Sequence, residues 1–100
     1  MTTSHHAAFT IGPDHPALPG HFPGRPVVPG VVLLDHVVAA ARAGFGLGPA
    51  IGLPRTKFIA PVLPGQAVRI ALTLAGPGRV AFICEVDGCT VASGEARFLA

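Results

Sequence analysis

The chain has little charge. Seven Lys and Arg and five Asp and Glu are spread over 100 residues, while half of all residues are hydrophobic. That charged share is about half of the roughly 25% usual in globular domains. So few charges cannot cover a small domain well, and part of its surface is predicted to meet another subunit. The net charge of +2 and the lack of any Lys/Arg run give nucleic-acid binding no basis. Long hydrophobic runs are missing as well. Val31–Ala41 is too short to span a bilayer, and Asp35 and His36 interrupt it. Met1–His6 lacks the positive start and apolar middle of an export signal. These absences predict a cytoplasmic protein without a membrane partner.

Cysteine is equally scarce. Cys84 and Cys89 flank Asp87-Gly88, a type I′ hairpin signal. If Val86 faces Cys89, the two cysteines are diagonal neighbours about 7–8 Å apart. That is at or beyond disulfide reach, so two free thiols in a reducing compartment are predicted. No repeat, low-complexity tract or linker divides the chain, and residues 1–100 are predicted to form one domain. A domain of this size buries only about two-thirds of its unfolded surface.

What is abundant is proline and glycine, concentrated in Gly12–Gly30, where Pro13, Pro16, Pro19, Pro23, Pro26 and Pro29 recur at near-regular steps. Each fixes its own φ and restricts the preceding residue, so a long ordered loop is predicted. Loops of that length inside a compact domain are often functional. Ala7–Ile11 reads as a first short strand. Val31–Ala43 reads as a helix between Pro29-Gly30 and Gly44/Gly46, apolar on every side and therefore buried. Strands follow over Pro49–Ala60, Val68–Leu74, Val80–Val86 and Cys89–Leu99. In the last, Val91, Ser93, Glu95 and Arg97 share one face. Strand, helix, then about four antiparallel strands is an α+β order. Its economical solution is one buried helix wrapped by a curved antiparallel sheet.

Two ionisable residues stand out. His21 lies in the Pro/Gly-rich loop, and Asp35 lies 14 residues later inside the apolar helix. A buried carboxylate without a partner costs several kcal/mol or stays protonated. Asp35 therefore caps a backbone group, pairs with Arg42, or is an acid of raised pKa suited to catalysis. Gly30 falls at the helix start, where unpaired N–H groups and the positive dipole end can stabilise a developing oxyanion. A base, an acid and an oxyanion donor suit proton removal beside a carbonyl with loss of a leaving group.

The stretch Gly20–Asp35, GHFPGRPVVPGVVLLD, resembles the signature of hotdog-fold 3-hydroxyacyl-[acyl-carrier-protein] dehydratases. In these a His-Phe-Pro-Gly-x-Pro-x-x-Pro-Gly loop leads into the central helix, with Glu or Asp fourteen residues after the His. The likeness continues through Lys57–Ile70 (KFIAPVLPGQAVRI) and the stretch from Cys84 to Phe98. Aspartate at position 35 is similar to the branch that makes 10-carbon unsaturated acyl chains or to the small aryl-polyene-type dehydratases, and the short length favours the latter. Two features depart from the pattern: Ala39 stands where a glutamine often holds the acid, and the amino terminus is short. The resemblance implies a hotdog fold and dehydration of a 3-hydroxyacyl thioester carried on acyl carrier protein. His21 would be the base, Asp35 the acid, and the Gly30 N–H the oxyanion donor. The Val27 carbonyl would hold the other His21 ring nitrogen. It further implies a homodimer or higher oligomer in which His and acid come from different subunits. No metal or redox cofactor is implied, the substrate riding on a phosphopantetheine arm. A non-catalytic acyl-binding subunit and a thioesterase are the alternatives.

The remaining polar residues divide simply. Arg25, Arg42, Arg55 and Lys57 are candidates for docking an acidic carrier protein, or ordinary surface. His5, His6 and His15 lack metal-ligand spacing. His36 points roughly 100° from Asp35 on a helix and reads as structural or interfacial. Glu85, Glu95 and Arg97 read as surface groups or cross-strand pairs.

Overall fold

The computed structural model describes residues 3–16, 18 and 27–99. The described elements are β1 (Ser4–Thr10), α1 (Gly30–Phe45), β2 (Ala50–Gly52), β3 (Lys57–Phe58), β4 (Ala67–Gly76), β5 (Arg79–Val86) and β6 (Cys89–Phe98). All strand pairs are antiparallel, in the order β1-β4-β5-β6-β2, with β3 also on β6. The helix lies against β1 and β4, the arrangement expected of a hotdog fold.

Period-two alternation places the core. Val68, Ile70 and Leu72 of β4 and Val80, Phe82, Cys84 and Val86 of β5 are buried, as the alternation predicts. Phe82 is the largest fully buried side chain; such a residue contributes about 3–5 kcal/mol relative to alanine. The Asp87-Gly88 turn has positive φ at both residues, 51° and 79°, the backbone of a type I′ hairpin. It sets Val86 opposite Cys89, and both cysteines are free.

Strand β6 departs from simple alternation. Its pairing passes from Cys84↔Ala92 to Glu85↔Thr90, leaving Val91 as the extra residue of a bulge. Val91 and Ala92 are consequently both buried. Beyond the bulge, Ala92, Ala96 and Phe98 are buried, and Ser93, Glu95 and Arg97 take the outer face opposite Ile83, Ala81 and Arg79.

Several expectations change. The first strand runs over Ser4–Thr10 rather than Ala7–Ile11, and the bulge takes Val91 off the face of Ser93, Glu95 and Arg97. The strand read over Pro49–Ala60 is two short strands separated by a turn at Pro54-Arg55, because Pro54 lacks an N–H and Arg55 has φ 59°. The Thr56 hydroxyl donates to the Leu53 carbonyl at 3.0 Å and closes that turn. The helix starts one residue earlier and ends two later than predicted, and it is not buried on all sides. Val32, Leu33, Val37 and Ala41 face the core. Val31, Asp35 and Ala39, at four-residue steps, form an exposed stripe. One sheet covers one side of one helix, and composition alone does not say which side is left open.

Candidate active site

The segment before the helix is held from below. The Val28 N–H donates to the Val62 carbonyl at 2.8 Å. Pro29 is extended (φ −60°, ψ 143°) and the chain turns helical at Gly30. No side chain caps this end and no acidic residue lies in the first turn. Its positive end is therefore not neutralised by the helix's own sequence.

Beside this helix start lies a cavity of about 360 Å³. Val27, Val28, Gly30, Leu33, Phe58 and Val62 are among its walls, and none of its described lining residues is charged. Phe58 is 54% exposed, and its ring sits over Gly30. A methyl added at Gly30 would fall 2.6 Å from the ring's Cζ, so the close approach of ring to backbone requires glycine here or a displaced ring.

The predicted site residues are distributed as follows. Val27 and Gly30 share this cavity. Asp35 does not: it lies exposed on the Val31–Ala39 stripe, which corrects the expectation of a carboxyl buried within its own chain. The helix buries only its sheet-facing side, so nothing within the described residues desolvates Asp35. The expected Asp35–Arg42 pair is also not formed; the one ion pair among the described residues joins Arg79 and Glu95. His21 and Arg25 lie outside the described residues. Arg42 donates to the Leu47 carbonyl at the far end of the helix. Twelve residues separate it from Gly30, roughly 18 Å at 1.5 Å per residue, so Arg42 does not join Lys57, whose neighbour Phe58 covers Gly30. His36 stacks on Phe9 with ring centroids 3.9 Å apart and 3° between planes, a packing role. Among the described residues no group of three His, Cys, Asp or Glu is placed to hold a metal ion.

Sequence reasoning did not single out Phe58 and Val62 as walls of the cavity. Their signal lay in KFIAPVLPG, whose apolar residues bracket a turn and return the chain beneath the helix start.

A family model described as ApeI-like, ApeI dehydratase, matches residues 1–95. The 3-hydroxyacyl-[acyl-carrier-protein] dehydratase FabZ of Acetivibrio thermocellus is 34% identical over 97 residues, covering 85% of this chain and 66% of that protein. Its counterpart from Thermus thermophilus is 34% identical over 99 residues, covering 86% and 70%. The chain thus spans about two-thirds of the length of these curated relatives. Among solved structures, the dehydratase heterocomplex ApeI:P from Xenorhabdus doucetiae superposes with a TM-score of 0.84 at 22% identity, covering 98% of this chain and 88% of that one. An uncharacterized protein from Erwinia carotovora subsp. atroseptica gives a TM-score of 0.82 at 30% identity, covering 95% and 82%. With one helix against a curved antiparallel sheet, and with that family model spanning nearly all of its length, the chain is a hotdog-fold protein and belongs to the ApeI-like dehydratase family.

Proposed function

We propose that the protein dehydrates a 3-hydroxyacyl thioester, borne on acyl carrier protein, to the trans-2-enoyl thioester. The observation that supports this most directly is the cavity walled by Val27 and Gly30, uncharged among its described lining residues, at a helix start without an acidic residue in its first turn. The acyl chain occupies the apolar space. The Gly30 N–H donates to the thioester oxygen as enolate character builds. His21 removes the α-proton, with its other ring nitrogen donating to the Val27 carbonyl. The electron pair forms the new double bond as the β-hydroxyl leaves with a proton from Asp35, releasing water. Proton exchange with solvent then returns His21 and Asp35 to their starting forms. The protein's own contribution is acid–base chemistry and needs no metal or redox group.

Because Asp35 faces away from the cavity of its own chain, its partner is the His21 of a second copy. The exposed Val31–Asp35–Ala39 stripe is the face that copy covers. The pathway is of the fatty-acid or aryl-polyene type. The FabZ relatives support the first, and the short length favours the second.

The test is turnover of 3-hydroxyacyl thioesters by the wild type, His21→Ala and Asp35→Asn. Each substitution is expected to lower kcat/KM by about 10²–10⁴-fold, the usual range for a positioned acid or base. Full activity in His21→Ala would remove the base from this scheme. A second reading, an acyl-binding subunit with weakened chemistry, is favoured by Ala39 where an orienting glutamine is expected; binding of an acyl carrier substrate without turnover would establish it.

A further inference from the structure

The stripe that carries Asp35 has no side chain to aim its carboxyl. Ala39, one turn further on, is exposed, and its methyl group cannot hydrogen-bond. Among the described residues Asp35 takes part in no ion pair and in none of the side-chain hydrogen bonds. The carboxyl therefore points where the rotation of α1 about its own axis sends it. That rotation is set along the seam between α1 and the edge strand β1. His36, Ala40 and Gly44 lie at four-residue steps on the helix, and Phe9, Ala7 and His5 at two-residue steps on the strand; all six are half-buried. Four helical residues rise about 6 Å and two strand residues about 6.6 Å, so the two rows keep step.

Both ends of the seam are in contact. At one end the His36 ring lies flat on Phe9, with centroids 3.9 Å apart and 3° between planes. At the other, a methyl added at Gly44 would fall 2.5 Å from the His5 ring, and His5 meets Phe45 edge-on. Roughly 12 Å of helix separates His36 from Gly44, so the helix is gripped at two distant points. The first grip is the more directional. Aromatic pairs commonly settle offset or edge-on with centroids about 4.5–7 Å apart, whereas these planes are close and parallel, and turning α1 would tilt one against the other. The core-facing Val32, Leu33, Val37 and Ala41 are rounded side chains that tolerate a small turn. The Asp35 carboxyl stands about 5–6 Å from the helix axis, so a turn of about 20° would carry it roughly 2 Å. A misplacement of about 1 Å can cost about 10²-fold in rate.

We propose that His36, stacked on Phe9, is the positioning residue of Asp35: the clamp sets the rotation of α1 and so aims the carboxyl across the open helix face at the site it shares with a second copy. This rests on the reaction proposed above. It gives to an aromatic seam the orienting role expected of a glutamine at position 39. His36 itself touches neither the cavity nor the substrate; it acts through the residue before it, which the helix carries about 100° round the axis.

The experiment measures kcat and KM for a 3-hydroxyacyl thioester on acyl carrier protein with wild type, His36→Phe, His36→Leu and His36→Ala, each with Asp35 in place and again with Asp35→Asn. Circular dichroism sets a temperature at which every variant is folded. His36→Phe keeps a flat ring on Phe9 and is expected to hold kcat within about threefold of wild type. His36→Leu keeps volume without the plane; it and His36→Ala are expected to lower kcat about tenfold or more while changing KM less than about twofold. On the Asp35→Asn background the same substitutions are expected to cost nothing further, because no acid is left to aim. Packing alone would give equal losses on both backgrounds. That result, or wild-type kcat in His36→Ala, would overturn the positioning role while the acid stands. Wild-type kcat in Asp35→Asn would remove the acid from the reaction and the role of His36 with it. Crystal structures of His36→Ala and His36→Phe read the geometry without turnover: α1 is expected to turn by about 10° or more in the first and to stay in place in the second. An unturned α1 in His36→Ala would overturn the proposal. A turned helix in a protein whose wild type leaves the substrate unchanged would support the clamp and sink the reaction.

Discussion

At the scale of single residues, the two thiols differ in a way that spacing could not reveal. Both flank one turn, yet Cys84 is buried among the inner residues of β5 and Cys89 is exposed. Burial pushes the Cys84 thiol up to about 11, because a thiolate there would be desolvated without a counter-charge. A neutral thiol is a poor nucleophile. Iodoacetamide at pH 8 is therefore expected to label the native protein once, at Cys89, and the denatured protein twice, as counted by mass spectrometry. Labelling of Cys84 in the native protein at a rate like that of Cys89 would mean that β5 opens far more readily than its burial implies. Asp35 teaches the complementary lesson. Its presence in an apolar helix was plain from the residues around it, but its burial was not, since the side of α1 it occupies faces away from the sheet.

At the scale of elements, β6 holds the most information. Its bulge at Val91 lets the strand change register with β5 and still return Ala96 and Phe98 to the core. On the other face the bulge aligns Glu95 diagonally with Arg79. The hydrogen bond from Arg79 holds the Glu95 carboxyl below its usual value of 4.5, against the opposing effect of burial; the charges of Arg79, Arg97 and Arg55 add to the lowering. The unfolded chain therefore binds more protons than the folded one between the lowered pKa and about 4.5. The contribution of this pair is full above that window and is lost as pH falls through the folded pKa. Thermal melts from pH 7 to pH 2.5 are expected to show wild type losing its advantage over Glu95→Gln below about pH 4.5. A constant gap between the two proteins across that range would show that the ion pair adds no pH-dependent stability.

At the scale of the whole molecule, the low charge content and the open helix face address the same question. A half-covered helix leaves Val31 63% exposed beside a carboxyl, and the edge of β3 leaves Phe58 and Ile59 exposed nearby. Under the proposed reading, a second copy would cover this face, bury that surface and complete the site. Val31→Asp puts a charge into the stripe without touching the core. It is expected to weaken self-association roughly 30-fold or more, since a charge left unpaired in an interface costs about 2–5 kcal/mol. Light scattering across a dilution series reads this directly, with circular dichroism to check that the fold is kept. Wild-type mass in Val31→Asp at micromolar concentration would place the interface elsewhere. Wild type that stays monomeric at every concentration would remove the proposed homodimer.

Much of this was legible in the chain before it folded. Alternation in β4 and β5, the Asp-Gly turn and the proline-rich entry to α1 are local signals, each set by a few neighbouring residues and their allowed dihedrals. The motif from His21 to Asp35 named the family by the same local means. Three matters depended on contacts between residues distant in sequence. The first was which side of the helix the sheet would leave open. The second was that Phe58 would close over Gly30, 28 positions away. The third was that a single extra residue in β6 would align Arg79, Arg97 and Glu95. Local chemistry selects elements and their order; only packing decides which faces meet, because burial depends on what the rest of the chain brings alongside.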